Sequence, residues 1–428
     1  MSELRVLING ELVANVVQRA HGDLVLTYDR WWRDRADGFP VSLSMPLSRR
    51  EHGDAAVRPF MEGLLPDNAT ILERWARQFH VSARNPFALL SHMGEDCAGA
   101  AQFVRPDRYE DVAGGGEGNV EWLAEEDVAE RLRDLVEQHG TGRLPGDRGQ
   151  FSLSGAQPKM ALLFDGGRWG IPSGRTPTTH ILKPPAQREL EGFDINEHFC
   201  LRLGEELGLA VAESTLRRFG DQEALVVARY DRLRVAEGQV VRLHQEDTCQ
   251  ALAVSPLRKY QNEGGPGPED IVALLLRESD DPETDVAAFL DALALNWVIG
   301  GTDAHAKNYS LLISSGTVRL APFYDLISIL PYPHRVHDRK AALAMRIDRE
   351  YRLWKIRRRH WEGLAARCDL DPEPLVERAG QLVAAVPAAV EHAVAGLREE
   401  GIGDGIVDRL AGEVREHCEH CLQALELA

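Results

Sequence analysis

The sequence predicts an α+β chain, with a β-rich first part followed by a mostly helical remainder. Three observations predict this. Strand-type segments separated by Gly- and Pro-containing turns dominate from Phe151, and helical periodicity takes over after about residue 254. Ahead of both lies a small mixed module, residues 1–105, set off by the glycine-rich stretch Val112–Asn119 and a Gly/Arg loop, Gly140–Gln150. The 428 residues are 44% hydrophobic and 27% charged, an ordinary globular mix that excludes a wholly disordered chain, a collagen and a coiled-coil rod. A net charge of −18 argues against a free-standing nucleic-acid binder, because phosphate binding needs clustered positive charge. Six cysteines are too few for a disulfide framework. The N-terminus lacks the basic start and apolar run of a signal peptide. The most apolar late stretch, Leu382–Leu397, is interrupted by Pro387, Glu391 and His392, so no segment reads as a membrane span. A reduced, cytoplasmic protein is expected.

Within the first module, Val41–Leu47 alternates like a strand, Ala69–Gln78 is helical, and Asn85-Pro86 breaks the chain before a further short helix. Residues 106–150 read as linker plus one amphipathic helix, Ala124–Gln138, with acids early and Arg131 and Arg133 later, as the helix dipole favours. Two further spans follow, a β-rich core at 151–253 and a helical region at 254–428.

The chemistry begins in Phe151–Phe164, which reads as strand, small-residue turn and strand. Ser154-Gly155-Ala156 lets backbone N–H groups approach a phosphate. Gly166-Gly167 makes a hairpin turn, and Thr178–Pro184 is a short strand with Lys183 near its end. Asp194–Leu207 is a long helix with Glu197 in its first turn, and Ala224–Asp231 is a buried-type strand. A helical run, Thr284–Ile299, stops at Gly300-Gly301, and a polar loop follows with Asp303, His305, Lys307 and Asn308. Tyr309–Ser314 and Thr317–Phe323 read as a hairpin turning at Ser315-Gly316, with Asp325 just beyond it. A hairpin joins its two open ends, so Asp303 and Asn308 approach Asp325. Asp303 and Asn308 have the D-x-x-x-x-N spacing of a phosphoryl-transfer loop, in which the Asp accepts the proton of the attacking hydroxyl and the Asn holds magnesium. Each piece has a plain structural alternative: a capping aspartate, an edge-strand lysine, an N-terminal helix acid. The order of the pieces is far more specific than any one of them.

These segments resemble the HipA family of serine/threonine-protein kinase toxins from type II toxin–antitoxin systems. The resemblance runs through Ser44-Met-Pro-Leu47, Gly63–Asp67, Asn85–Leu90, Gly94–Ala100, Ser152–Lys159, Thr176–Lys183, Gln245–Gln250, Gly301–Asn308 and Leu320–Asp325. It implies a two-lobed kinase-like fold, with a β-rich N-lobe, an extra N-terminal module and a mostly helical C-lobe. Its cofactors would be ATP and Mg²⁺. Asp303 would be catalytic, and Asn308 and Asp325 would hold the metal. The nucleotide would be met by Ser154, Gly155, Ala156, Gln157, Pro158, Lys159 and Lys183, by the hinge Ala228, Arg229 and Tyr230, and by Ala304, His305, Tyr324, Asp325, Leu326 and Ile327. Ser152 matches the family's autophosphorylated serine, whose modification expels the loop and silences the kinase. The implied protein substrate is an aminoacyl-tRNA synthetase. The implied partner is a helix-turn-helix antitoxin of the HipB type, with DNA reached only through it. Two features depart from familiar patterns. Ser154 adds a second hydroxyl near Ser152, and Leu326-Ile327 replaces the Phe-Gly of ordinary protein kinases.

A catalytically silent kinase-fold partner of the antitoxin is the alternative reading, and a metal-dependent phosphohydrolase using Asp303, His305 and Asp325 is a third. His417-Cys-Glu-His-Cys421 reads as part of a terminal helix, Gly412–Leu427, rather than a metal site. Lys355–His360 reads as a solvated basic helix face, and Trp31, Trp32, Trp297 and Trp361 as core.

Overall fold

The computed structural model describes residues 2–114, 118–137, 152, 154–155, 157–185, 191–236, 239–332, 340–403 and 405–426. Ala156 and the Gly140–Gln150 loop therefore lie outside the described residues. The chain divides into two compact units. The first comprises Met1–Pro184, Arg217–Leu257 and Leu311–Val318, and the second Pro185–Leu216, Arg258–Ser310 and Arg319–Ala428. One is β-rich and the other mostly helical, the two-lobed organisation expected.

The first unit holds two main sheets. Strands β1 (Ser2–Ile8), β2 (Glu11–Gln18), β3 (Leu24–Tyr28), β4 (Glu51–His52) and β5 (Ala101–Val104) form an antiparallel sheet in the order β4-β3-β2-β1-β5. Helices Asp54–Gly63, Ala69–Phe79 and Pro86–Met93 contribute Phe60, Trp75, Leu89 and Leu90 to its core. Asn85 caps the last of these helices, accepting from Ala88 N–H at 3.2 Å, and Pro86 occupies its first turn where no donor is needed. A six-stranded sheet contains β6 (Asn119–Leu123), β7 (Met160–Asp165), β8 (Arg168–Ser173), β9 (His180–Lys183), β10 (Ser214–Phe219) and β11 (Gln222–Ala228), in the order β10-β11-β9-β7-β8-β6. Helix Glu125–Glu137 packs Val128, Leu132 and Leu135 into its core. Strands β12 (Arg232–Ala236) and β13 (Gln239–Arg242) form a ribbon, and β14 (His244–Asp247) pairs with the hairpin β15 (Ser310–Ser314) and β16 (Thr317–Leu320).

The second unit is built on helices Phe193–Glu206, Pro268–Glu278, Pro282–Ile299, Arg358–Arg367, Pro372–Glu399 and Ile406–Glu426, with a small hairpin of β17 (Ala342–Ile347) and β18 (Glu350–Arg352). Trp297 and Trp361 are wholly buried there, 5.7 Å apart between ring centres.

Several expectations need correction. Val41–Leu47 is not a strand, because side chains take its backbone groups. Tyr28 Oη accepts from Val41 N–H and donates to Met45 O, while Glu246 accepts from Leu43 N–H. Val112 and Asn119, placed in a linker, belong to helix Tyr109–Ala113 and to β6. The strand after Ser315-Gly316 ends at Leu320 rather than Phe323, since Pro322 has no N–H to donate. Trp31 is 57% exposed, with Arg35 over its ring, and is not core. The run Lys355–His360 is no single helix face: Ile356 and His360 are buried, and Arg358 pairs with Glu362 and Glu373. Pro372–Glu399 is long and apolar enough by length and composition to cross a membrane, against the expectation of no such segment. It packs Leu375, Val383, Val386, Val390 and Leu397 inward in the second unit.

Candidate active site

The polar loop carrying Asp303 is made by a clean helix stop. Helix Pro282–Ile299 ends at Gly300 in the left-handed conformation, φ +66°, and Gly301 N–H donates to Asn296 O at 2.7 Å. A Cβ on Gly301 would lie 2.1 Å from Asn296 Oδ1, so no larger residue fits. The chain then turns sharply. His305 N–H donates to Asp303 O at 2.8 Å, Ala306 N–H to Lys259 O at 3.3 Å, and Asn308 N–H to His305 O at 2.9 Å. This leaves Asp303 exposed while His305, Lys307 and Asn308 are buried. Among the described residues the Asp303 carboxylate accepts one hydrogen bond, from Tyr260 Oη to Oδ1 at 2.6 Å, and the Tyr260 ring meets His305 edge-on at 4.9 Å.

The open ends of the hairpin are tied together. Ala321 N–H donates to Ser310 O at 2.8 Å, and Tyr324 Oη donates to Lys307 O at 2.7 Å while also bonding Ser310 Oγ. Tyr324 immediately precedes Asp325 and Lys307 immediately precedes Asn308, so this bond pins the two oxygen-bearing residues to one end of the hairpin. Asp325 is half-buried with φ +53°, a left-handed conformation that Asp tolerates better than most side chains. Behind it, Asn196 holds Ser328 by both backbone groups, accepting from N–H at 2.9 Å and donating to C=O at 2.8 Å. Leu326 is buried, and Ala304 and Ile327 are half-buried. Glu197, on the same helix as Asn196, is buried in the second unit, whereas Lys183 is buried in β9 of the first, paired across to Leu225.

The small-residue turn lies in the first unit. Ser152 is fully buried, its Oγ donating to Leu64 O at 2.7 Å and its N–H to Asp96 O at 2.9 Å. Gly155 has φ +101°, bridges to Pro66 and accepts from Asp67 N–H at 3.2 Å. Lys159 Nζ donates to Ser154 O at 3.0 Å. Ser154, Gln157 and Pro158 are half-buried.

Beyond β11, Ala228 is half-buried, but Arg229 is not an open hinge residue. Its N–H donates to Thr179 O and its C=O accepts from Arg232 N–H. Its guanidinium is sealed in a network with Asp231 (2.9 and 3.0 Å), Thr178 Oγ1 (2.9 Å) and Cys97 O (2.7 Å). Asp96 completes the network, accepting from Arg232 (2.9 Å), Arg242 (3.0 Å) and Thr178 Oγ1 (2.6 Å). Burial works to raise the Asp96 carboxyl, but Arg232, Arg242 and Arg229 outweigh it and hold it well below the usual carboxylate range. Tyr230 Oη bonds Gln245.

At the C-terminal end, His417 Nε2 bonds Trp297 O at 3.1 Å and Cys418 Sγ bonds Val383 O, so this motif serves helix packing. Among the described residues no group of three metal-ligating side chains is present.

The sequence reading did not single out Tyr260, Asn196 or Asp96. Asn196 carries a signal, a polar side chain amid an apolar helical face, and Asp96 lies within the stretch Gly94–Ala100, whereas Tyr260 carries none.

The HipA N-terminal domain matches residues 4–104 and the HipA-like C-terminal domain residues 151–390. A provisionally named kinase of Sinorhizobium fredii is 39% identical over 376 residues, 88% of this chain and 87% of its own. The serine/threonine-protein kinase toxin HipA of Shewanella oneidensis is 31% identical over 335 residues, 76% of this chain and 73% of its own. The solved complex of Shewanella oneidensis HipA with HipB and operator DNA superimposes with a TM-score of 0.84 at 25% identity, covering 99% of this chain and 98% of that one. With both domains matched and the fold shared end to end, the chain belongs to the HipA family.

Proposed function

We propose that this chain is an ATP- and Mg²⁺-dependent serine/threonine-protein kinase, acting as the toxin of a type II toxin–antitoxin system. The observation that carries the reading is the exposed Asp303, set on a loop whose Lys307 is locked to Tyr324, the residue before Asp325. An acceptor hydroxyl needs a carboxylate it can reach, and the transferred phosphoryl group needs fixed charges around it. Asp303 orients that hydroxyl and takes its proton as the γ-phosphoryl group passes in line from ATP. Asn308 and Asp325 offer the oxygen donors that magnesium takes, and when bound it offsets charge on the phosphates. The resemblance assigns Lys183 and the turn from Ser154 to Lys159 to the phosphates. It assigns the strand end Ala228 to Tyr230 to the adenine, less the Arg229 N–H, which is already used.

The substrate class is a protein hydroxyl, with an aminoacyl-tRNA synthetase as the specific expectation. The partner is a helix-turn-helix antitoxin, because the relative that superimposes along the whole chain was solved with HipB and operator DNA. A cytoplasmic setting fits six cysteines that are all buried and in no disulfide. Ser152 is the self-modification site the resemblance implies, with Ser154 the alternative, and the buried Ser152 hydroxyl must leave Leu64 before it can accept a phosphate.

The test is intact-protein mass after incubation with Mg-ATP, for wild type beside Asp303→Asn. One phosphate gained by wild type alone, mapped to Ser152 or Ser154, supports the kinase. ATP hydrolysis with no protein labelling would favour phosphohydrolysis. No reaction from a sample that began unphosphorylated shifts weight to the silent binding partner or to a kinase that labels only its substrate.

A further inference from the structure

We propose that Tyr260 is a positioning residue for the catalytic step, acting through Asp303; the proposal rests on the kinase reading above. Tyr260 Oη donates to Asp303 Oδ1 at 2.6 Å. Asp303 is exposed, and among the described residues its Oδ2 makes no hydrogen bond. One carboxylate oxygen is therefore held and the other is presented to an incoming hydroxyl. A carboxylate on an exposed loop would otherwise rotate about its side-chain torsions, and a base must sit within hydrogen-bond reach of the proton it takes.

Tyr260 is itself held firmly. Glu263 N–H and Gly265 N–H both donate to Tyr260 O at 3.0 Å, Gly264 N–H donates to Gln261 O at 3.1 Å, and the Gln261 side chain accepts from Arg346 N–H at 2.9 Å. Gly265 packs so closely that a Cβ there would lie 2.0 Å from Arg258 O. The next strand of contact, Ala306 N–H to Lys259 O, ties the same segment to the loop of Asp303. These bonds hold the segment without the phenol. The hydroxyl is directed at the carboxylate, while the ring keeps its edge contact with His305.

The experiment compares wild type, Tyr260→Phe, Asp303→Asn and the double variant. Phe keeps the ring and removes only the donor. Two quantities are read: the rate constant for phosphate incorporation from saturating Mg-ATP, by intact mass, and the dissociation constant for a non-hydrolysable ATP analogue with Mg²⁺, by calorimetry. Expected is a rate lowered about ten- to a hundredfold in Tyr260→Phe, the scale of one hydrogen bond to a charged group, with analogue affinity within about twofold. In the Asp303→Asn background the same change should add nothing, since residues acting as a unit are not additive. A Tyr260→Phe rate equal to wild type overturns the proposal, and so does a rate loss matched by loss of analogue binding, which would mark a structural role. A wild type that labels neither itself nor an added protein hydroxyl, and hydrolyses nothing, overturns the kinase reading, and the proposal with it.

Discussion

Asp96 and Asp303 both sit on loops, yet their surroundings are opposite. Asp96 is sealed among the guanidinium groups of Arg229, Arg232 and Arg242, with Thr178 completing its bonds. Asp303 stands exposed with one tyrosine hydroxyl. A buried carboxylate of the first kind is committed: every lone pair is spoken for and its charge is fixed by its neighbours. The second kind is available, which is what a group that must exchange a proton requires. The difference teaches where stability and chemistry are kept apart in this chain. The network joins the loop before β5, the strand end Arg229–Arg232 and β13, whereas the carboxylate proposed to react is left out of the packing.

The sharpest way to break the contrast is to exchange the losses. Asp303→Asn should lower phosphate transfer by about 10²–10⁴-fold, the usual worth of a general base, while the thermal midpoint moves by no more than about 2 °C. A phosphate-incorporation assay and a melting curve on the same sample check both halves. Asp96→Ala should do the reverse to the fold. It leaves Arg229, Arg232 and Arg242 with Asp231 as the remaining buried carboxylate, and breaking a buried ionic cluster costs about 3–5 kcal/mol. Urea unfolding of the two variants should rank them in opposite order from the activity assay. An Asp96→Ala protein as stable as wild type would show that the network is dispensable.

Acid should act on the same contrast, more gently. His244 lies beside the network, with Ala100 N–H donating to its Nδ1 at 3.3 Å and its Nε2 bonded to Val41 O. Burial pushes it down to about 4, and His180 falls to about 4 by burial and the nearby Arg234 and Arg217. Both are lowered below the ordinary value of about 6.5, so the stability they contribute is present above that value and is lost as pH falls toward about 4. Asp96 and Asp231 are also depressed, despite burial, by their arginines. Their contribution is complete above about 3.9 and is lost only below it. The melting temperature should hold above pH 7, decline from about 6.5 to 4, then drop further. In His244→Gln the stability gap from wild type should narrow between pH 7 and 5, and a constant gap would assign the decline elsewhere.

How much of this was legible in the sequence follows from how local each feature is. The caps at Asn85-Pro86 and Gly300, and the Gly166-Gly167 turn between β7 and β8, were readable because the deciding chemistry lies within a few residues. The succession of strands, helices, polar loop and hairpin from β7 to β16 was readable for the same reason. Val41–Leu47 misled because its partner Glu246 is 203 residues away. Tyr260 and Asn196 went unnoticed because their partners lie 43 and 132 residues off, and a tyrosine in a polar loop announces nothing by itself. Arg229 was placed in the hinge by its position in the chain. That its side chain turns into a buried network depends on Asp96, Thr178 and Asp231, brought together only by folding.

The smallest expected effect tests whether the first unit's turn is built for a close approach or merely for a bend. Gly155 has φ +101°, a conformation that costs a side-chain-bearing residue about 1–3 kcal/mol, and its C=O and its bridge to Pro66 fix it in place. An added Cβ would lie 2.5 Å from Lys159 Nζ, the far end of a flexible side chain that can move aside, so backbone strain is the larger part of the cost. Gly155→Ala should therefore lower stability by about 1–2 kcal/mol, seen in urea unfolding. If the turn cradles phosphate, the variant should also raise the KM for ATP several-fold and leave kcat nearly unchanged, because ground state and transition state lose the same contacts. A fall in kcat at constant KM would instead place this turn with Asp303 on the chemical side of the comparison.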